Sequence, residues 1–273
     1  MWGTYILETY SQSEAETVRD ALEEIVGPYS GATWSTAGVY LFWNPTDRMP
    51  LYVGIASDLP VRFSQHHGLR GCPEPACKRK EISAYFKDGH ERLGFTFLPL
   101  SSLSQPNTGR FPLEGGTDRR KLMELNEAVT SDALDEIRGL EGRLIAYSKA
   151  RFGWFPDWNV DPGRVPERAP DISDGSMATA VGAVDILLQA RKSLRDLAAN
   201  NGWAIFEEYL HGPRINAVRR GVLGGDGIRN DTIQEEIDRM PAGEYTRAEI
   251  LRTGYLEDRN PLTVGPVANP RAR

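Results

Sequence analysis

The sequence predicts an α+β fold: a small β-sheet flanked by helices, followed by a mainly helical C-terminal region. Two short β-like runs, 37–43 and 51–55, are joined by Asn44-Pro45-Thr46-Asp47-Arg48-Met49-Pro50, whose two prolines, Asn and Asp mark a hairpin loop. Over 132–151, Leu134, Ile137, Leu140, Leu144, Ile145 and Ser148 recur on one helical face. Beyond a segment dense in Pro, Asp and Gly at 156–176, the remaining pattern is helical.

Taken in order, residues 1–30 read as an N-terminal extension built on an amphipathic helix over 13–26. Ser13 with Glu16 forms a capping box there, and Val18, Ala21, Leu22, Ile25 and Val26 share a face. Residues 31–160 form the central domain, with an insertion at about 68–130. Within it the hairpin is followed by a helix capped by Ser57 or Asp58, which tolerates Pro60 in its first turn. The run 93–100 alternates as a third strand, and 101–118, rich in Ser, Pro, Gly and Asn, reads as a surface loop. Residues 161–176 are a linker, and 177–273 a mainly helical C-terminal domain with helical stretches near 178–200, 203–210 and 230–239. Thr246 and Glu249 form a second capping box that opens a short helix.

A chain of 273 residues accommodates two small domains, and 40% hydrophobic with 26% charged residues is a globular composition. No stretch approaches the roughly 20 apolar residues that span a bilayer, so no membrane partner is expected. The N-terminal residues lack the basic and apolar regions of a secretory signal, and Cys72 and Cys77 are too few for a disulfide framework. A cytoplasmic location is the resulting expectation. The net charge of −6 argues against a protein that coats nucleic acid. Basic clusters nevertheless stand at Lys78-Arg79-Lys80, Arg119-Arg120-Lys121, and Arg214 with Arg219 and Arg220. Each alone reads as solvated surface; together they suit an enzyme that meets DNA at one face.

Tyr40 and Tyr52 fall diagonally on one sheet face if the hairpin turn centres near Asp47, and a one-residue slip separates them. Either alone reads as an ordinary packed tyrosine. Arg62 and His66, four apart on the next helix, share a face that offers a guanidinium to a phosphate and an imidazole to a proton. Glu141 lies at the margin of the apolar face of 132–151. Such a carboxylate needs a partner, and a divalent cation or a salt bridge to Arg62 would serve equally.

In order and spacing, Gly38-Val39-Tyr40, Tyr52-Val53-Gly54, Ala56, Asp58-Leu59, Arg62, His66, Glu141 and Asn159 resemble the GIY-YIG nuclease family, over roughly 36–160. The resemblance implies a GIY-YIG nuclease domain at 31–160 that hydrolyses DNA phosphodiester bonds. It implies Tyr40, Tyr52, Arg62, His66, Glu141 and Asn159 as catalytic residues, with Glu141 holding one Mg²⁺ (or Mn²⁺). A tyrosine, helped by His66, would prepare the attacking water; Arg62 would neutralise the transition state, and Asn159 would steady the Glu141 end. Family members often carry a lysine beside the second motif. None stands there in this chain, leaving His66 or His67 for that role. Size and layout point to a restriction or phage-defence enzyme, with selection of modified DNA and a homodimer both allowed. Arg214, Arg219 and Arg220 are the candidate nucleic-acid contacts of the C-terminal region. An RNA-cleaving or toxin-type nuclease and a catalytically silent nucleic-acid-binding module are the alternatives.

Overall fold

The computed structural model describes residues 4–26, 34, 36–72, 77–99, 131–160, 174–183, 188–224, 235–238 and 244–263. The expected loop at 101–118 and most of the 161–176 linker lie outside them. The fold is α+β. Strands β1 (Ile6–Tyr10), β2 (Gly38–Trp43), β3 (Pro50–Ala56) and β4 (Leu93–Pro99) form one antiparallel sheet in the order β1-β4-β2-β3.

β2 and β3 form the expected hairpin, closed by a turn in which Asn44 N–H donates to Met49 O at 2.9 Å and Arg48 N–H to Asn44 O at 2.8 Å. β4 occupies the expected third-strand position. It lies between β1 and β2, so this part of the 68–130 span is central to the sheet and is not a peripheral insertion. The N-terminal residues also depart from expectation, because the segment read as a helical extension begins with sheet strand β1. Glu8 in mid-strand masks its apolar pattern. That carboxylate is buried and accepts from Thr9 N–H, Arg195 N–H and the Arg195 guanidinium.

Helix α1 (Ala15–Val26) follows a 3-10 turn at Gln12–Glu14. Its capping box uses Ser11 and Glu14, not Ser13 and Glu16: Ser11 N–H donates to the Glu14 carboxylate at 2.7 Å. Helix α2 (Leu59–His66) starts where Asp58 accepts from Val61 N–H, with Pro60 in the first turn as anticipated. Helix α3 (Arg79–Lys87) precedes β4. Helix α4 (Ser131–Phe152) packs on β3 and β2, and α5 (Asp174–Ala180), α6 (Leu194–Ala199), α7 (Asn201–Gly224) and α8 (Glu244–Thr253) follow. Thr246 and Glu249 lie inside α8, so they do not open it. Among the described residues no helix is long and apolar enough to cross a membrane.

Strand alternation divides the core between the two sheet faces. Val39, Leu41, Trp43 and Val53 point toward Ile137, Leu140 and Leu144 of α4, with Leu210 and Ala217 of α7 and Ile250 of α8 in the same cluster. Tyr40, Phe42, Phe95 and Phe97 point toward α1, α2 and Leu194 and Leu197 of α6. The C-terminal residues therefore share cores with the sheet on both faces, and the expected split at 161–176 does not divide the packing. A bridge between Tyr5 and Gln189 and two hydrogen bonds of 2.9 Å across it tie this region to the start of the chain.

Candidate active site

The hairpin register pairs Tyr40 with Gly54 and Phe42 with Tyr52, which puts the two tyrosines diagonally on one face with ring centroids 5.8 Å apart. Both motif glycines have a steric reason. A Cβ on Gly54 would stand 2.7 Å from the Tyr40 hydroxyl oxygen, and one on Gly38 would stand 2.3 Å from Leu98 O of β4. Gly54 leaves room for the Tyr40 hydroxyl across the strand, and Gly38 lets β4 approach β2.

Arg62 and His66, one turn apart on α2, converge on the same phenol. Arg62 Nε donates to Tyr40 Oη at 3.2 Å, and His66 Nε2 lies 2.6 Å from it. The imidazole tautomer follows from its other side, where Lys78 N–H donates to His66 Nδ1 at 2.8 Å. Nδ1 is thus the acceptor, and a neutral ring carries its proton on Nε2, which donates to Tyr40. Tyr40 Oη accepts from two groups, and its own hydrogen bond to Tyr52 lowers the Tyr52 pKa. Two donors aimed at one phenolic oxygen stabilise its ionised form.

Burial raises both phenol pKa values, and the charge and hydrogen bonds of Arg62 oppose it only in part, so both stay raised, Tyr40 well above its ordinary value. For Arg62 itself burial disfavours the charge, and the phenols outweigh it, leaving its pKa raised. His66 is lowered to about 2, first by burial and then by Arg62, His67 and Lys78. It is a neutral hydrogen-bond donor and does not take up a proton near neutrality. His67 is also committed: its ring meets Phe63 O at 2.8 Å and the Tyr10 hydroxyl at 2.7 Å. Neither ring carries a charge near neutrality.

A lysine does reach this site. Lys78, only 6% exposed, sets its ammonium 5.3 Å from the centre of the Tyr52 ring and pairs with Glu81 at 3.4 Å. Sequence reasoning counted it among solvated basic residues. Its position before α3, folded back over β3, has no signature in local spacing.

Glu141 is half-buried on α4, and its charge is felt at Tyr52. Burial raises its pKa to about 7, against the opposing charge of Arg138. A carboxylate so displaced gains from a cation. The described residues contain no cluster of three or more His, Cys, Asp or Glu able to enclose a metal. One carboxylate oxygen donor nonetheless fits Mg²⁺, which keeps several waters and is completed by substrate phosphate oxygens.

Asn159 is placed differently from expectation. Its Oδ1 accepts from Val53 N–H at 2.9 Å and its Nδ2 donates to Val53 O at 2.8 Å. Trp158 N–H donates to Leu51 O at 2.8 Å. The segment around Asn159 thus covers the open edge of β3 on both sides of Tyr52. Its amide positions the strand that carries the tyrosine, and the hydrogen bonds to Val53 do not extend to Glu141.

The basic C-terminal candidates lie elsewhere. Arg214 is 0% exposed on α7, where its guanidinium pairs with Glu207 at 2.5 Å and donates to Thr4 Oγ1 and Gln189 O. A phosphate cannot reach it, so the expectation of a nucleic-acid contact is corrected to a buried structural ion pair. Arg219 and Arg220 continue the same helix, and their side chains lie outside the described residues. Compared with protein-family models, curated proteins and solved structures, the chain matches none.

Proposed function

We propose that this chain is a metal-dependent endonuclease of GIY-YIG type that hydrolyses DNA phosphodiester bonds in a restriction or phage-defence role. The supporting observation is the convergence of Tyr40, Tyr52, Arg62 and His66 on one phenolic oxygen pair, with Glu141 electrostatically coupled to it. Residues 40, 52, 62 and 66, separated in sequence, meet in the order the resemblance anticipates, and the charge of Glu141 acts on Tyr52.

In this reading Glu141 holds Mg²⁺ or Mn²⁺, which supplies Lewis-acid polarisation of the phosphoryl group and stabilisation of the leaving oxygen. Tyr40 orients the attacking water and accepts its proton. Burial outweighs the Arg62 donor and keeps Tyr40 a neutral phenol, so the proton transfer would need the added positive charge of a bound cation to bring the phenol down. The Arg62 guanidinium faces the charge that grows on phosphorus-bound oxygens. Lys78 adds a second cation beside Tyr52. Selection of modified DNA would belong to surfaces outside this cluster.

Purified protein should nick or cut plasmid DNA with Mg²⁺ or Mn²⁺. Glu141→Ala and Arg62→Ala proteins, folded by circular dichroism, should lose that activity. Cleavage that persists in both variants refutes the assignment.

A further inference from the structure

Beside the tyrosines lies a cleft of about 750 Å³, within the size range of small-ligand pockets. Its base is Pro50 and Leu51 of β3. Its walls are the hairpin turn, α3 from Glu81 onward and the segment Trp154–Trp158. Several lining groups are flat. His90 stacks on Tyr85 with centroids 4.0 Å apart and planes 8° from parallel, and Trp158 meets Tyr85 edge-on at 6.0 Å. Trp154 is 55% exposed, a large apolar surface left open to solvent at the cleft.

The charged lining is one-sided. Asp47, Glu81, Asp88 and Asp157 line the cleft, and among the described residues no lysine or arginine does. A DNA backbone would be repelled from such a surface. Ionised carboxylates only accept hydrogen bonds, so a flat occupant must present donors. Exocyclic amino groups of cytosine, adenine and guanine do so, whereas thymine has none.

The cleft is mechanically continuous with the candidate active site. Glu81, in its wall, pairs with Lys78, whose ammonium lies over Tyr52. Trp158, in the opposite wall, is hydrogen-bonded through its N–H to Leu51, the residue before Tyr52. Resting on the nuclease reading above, we infer that this cleft is a nucleobase pocket that takes an amino-bearing base, cytosine, adenine or guanine, swung out of the DNA helix next to the cleaved phosphate. Extruding a base costs stacking, which aromatic walls restore.

The test is tryptophan fluorescence of the full chain, without metal, titrated with cytidine, adenosine, guanosine, thymidine, their 5′-monophosphates, and tetramethylammonium. Saturable quenching by cytidine, adenosine or guanosine is expected, with thymidine and the monophosphates weaker. Trp154→Ala should abolish the signal, and Asp157→Asn should weaken binding by about tenfold, as loss of one charge-assisted hydrogen bond does. Both positions are exposed, so folding is not at issue. The inference is overturned if no nucleoside quenches, if thymidine binds as well as cytidine, adenosine and guanosine, or if tetramethylammonium alone binds, which would make the cleft a cation cage. Because this readout needs no cleavage, a chain that cuts DNA yet binds no nucleoside loses only the pocket. One that binds cytidine yet cuts nothing keeps the nucleobase pocket and loses the nuclease reading together with the pocket's place beside a cleaved phosphate.

Discussion

Glu141 ionises near pH 7 in the folded chain because burial outweighs the pull of Arg138, against an ordinary value of 4.5. The sign of the linked stability follows. Between those two values the folded chain binds a proton that the unfolded chain has released, so this group makes unfolding easier as pH rises through that window. The stability it contributes is fully present below 4.5 and lost above about 7. A Glu141→Gln protein stays neutral throughout. In metal-free buffer its melting temperature should exceed that of the parent above pH 7 and match it near 4.5. Adding Mg²⁺ at pH 8 should raise the parent's melting temperature and leave the variant's unmoved. An identical pH slope in both proteins would show that Glu141 is not the displaced group. The same residue then ties activity to pH, since cation binding needs the carboxylate and should strengthen as pH rises through about 7.

Among the elements, α7 shows how far local chemistry reaches. Arg214 and Glu207, seven residues apart on this helix, form a fully buried pair that also engages Thr4 ahead of β1 and Tyr255 beyond α8. Truncating one partner of such a pair strands the other charge, at a cost of about 3–5 kcal/mol. An Arg214→Met protein should therefore show a lower urea midpoint with unchanged DNA affinity, measured where both proteins are folded. Loss of affinity at an unchanged midpoint would instead return Arg214 to the phosphate contacts. An exposed basic cluster and a buried ion pair look alike in sequence, because burial depends on a partner helix and a strand far away along the chain. β1 was hidden for a related reason: its Glu8 is neutralised by Arg195 from α6, and no local pattern announces that rescue. Elements whose determinants are local were legible, such as the β2–β3 hairpin with its Pro- and Asn-bearing turn, the Asp58 cap of α2 and the apolar face of α4. In the candidate site, Tyr40, Tyr52, Arg62, His66 and Glu141 were legible as a spaced pattern, but Lys78 and the attachment of Asn159 to Val53 needed the third dimension.

The whole molecule encloses three imidazoles held neutral by burial, and they occupy both layers. His66 and His67 close α2 on one face of the sheet, lowered to about 2 and about 4. His211 sits on α7, lowered to about 3, with its ring 2.9 Å from Thr4 Oγ1. Each contributes stability that is complete above the unfolded value of 6.5 and is lost as pH falls toward its folded value. The limiting slope is about 1.4 kcal/mol per pH unit for each group. Glu141 runs the other way between about 7 and 4.5, cancelling roughly one histidine there. Below 4.5 that opposition ends, and Glu14, lowered to about 2 by its hydrogen bonds at the start of α1, begins to add its own loss. Stability should thus fall from pH 6.5 to 4.5 at about the slope of two histidines, and more steeply just below. Because charging strikes helices on both faces of one sheet, acid unfolding should be a single transition seen alike by far-UV circular dichroism and tryptophan fluorescence. His211→Gln should flatten the upper part of the curve. Two separated acid transitions, or a flat profile down to pH 4, would contradict this balance of buried charges.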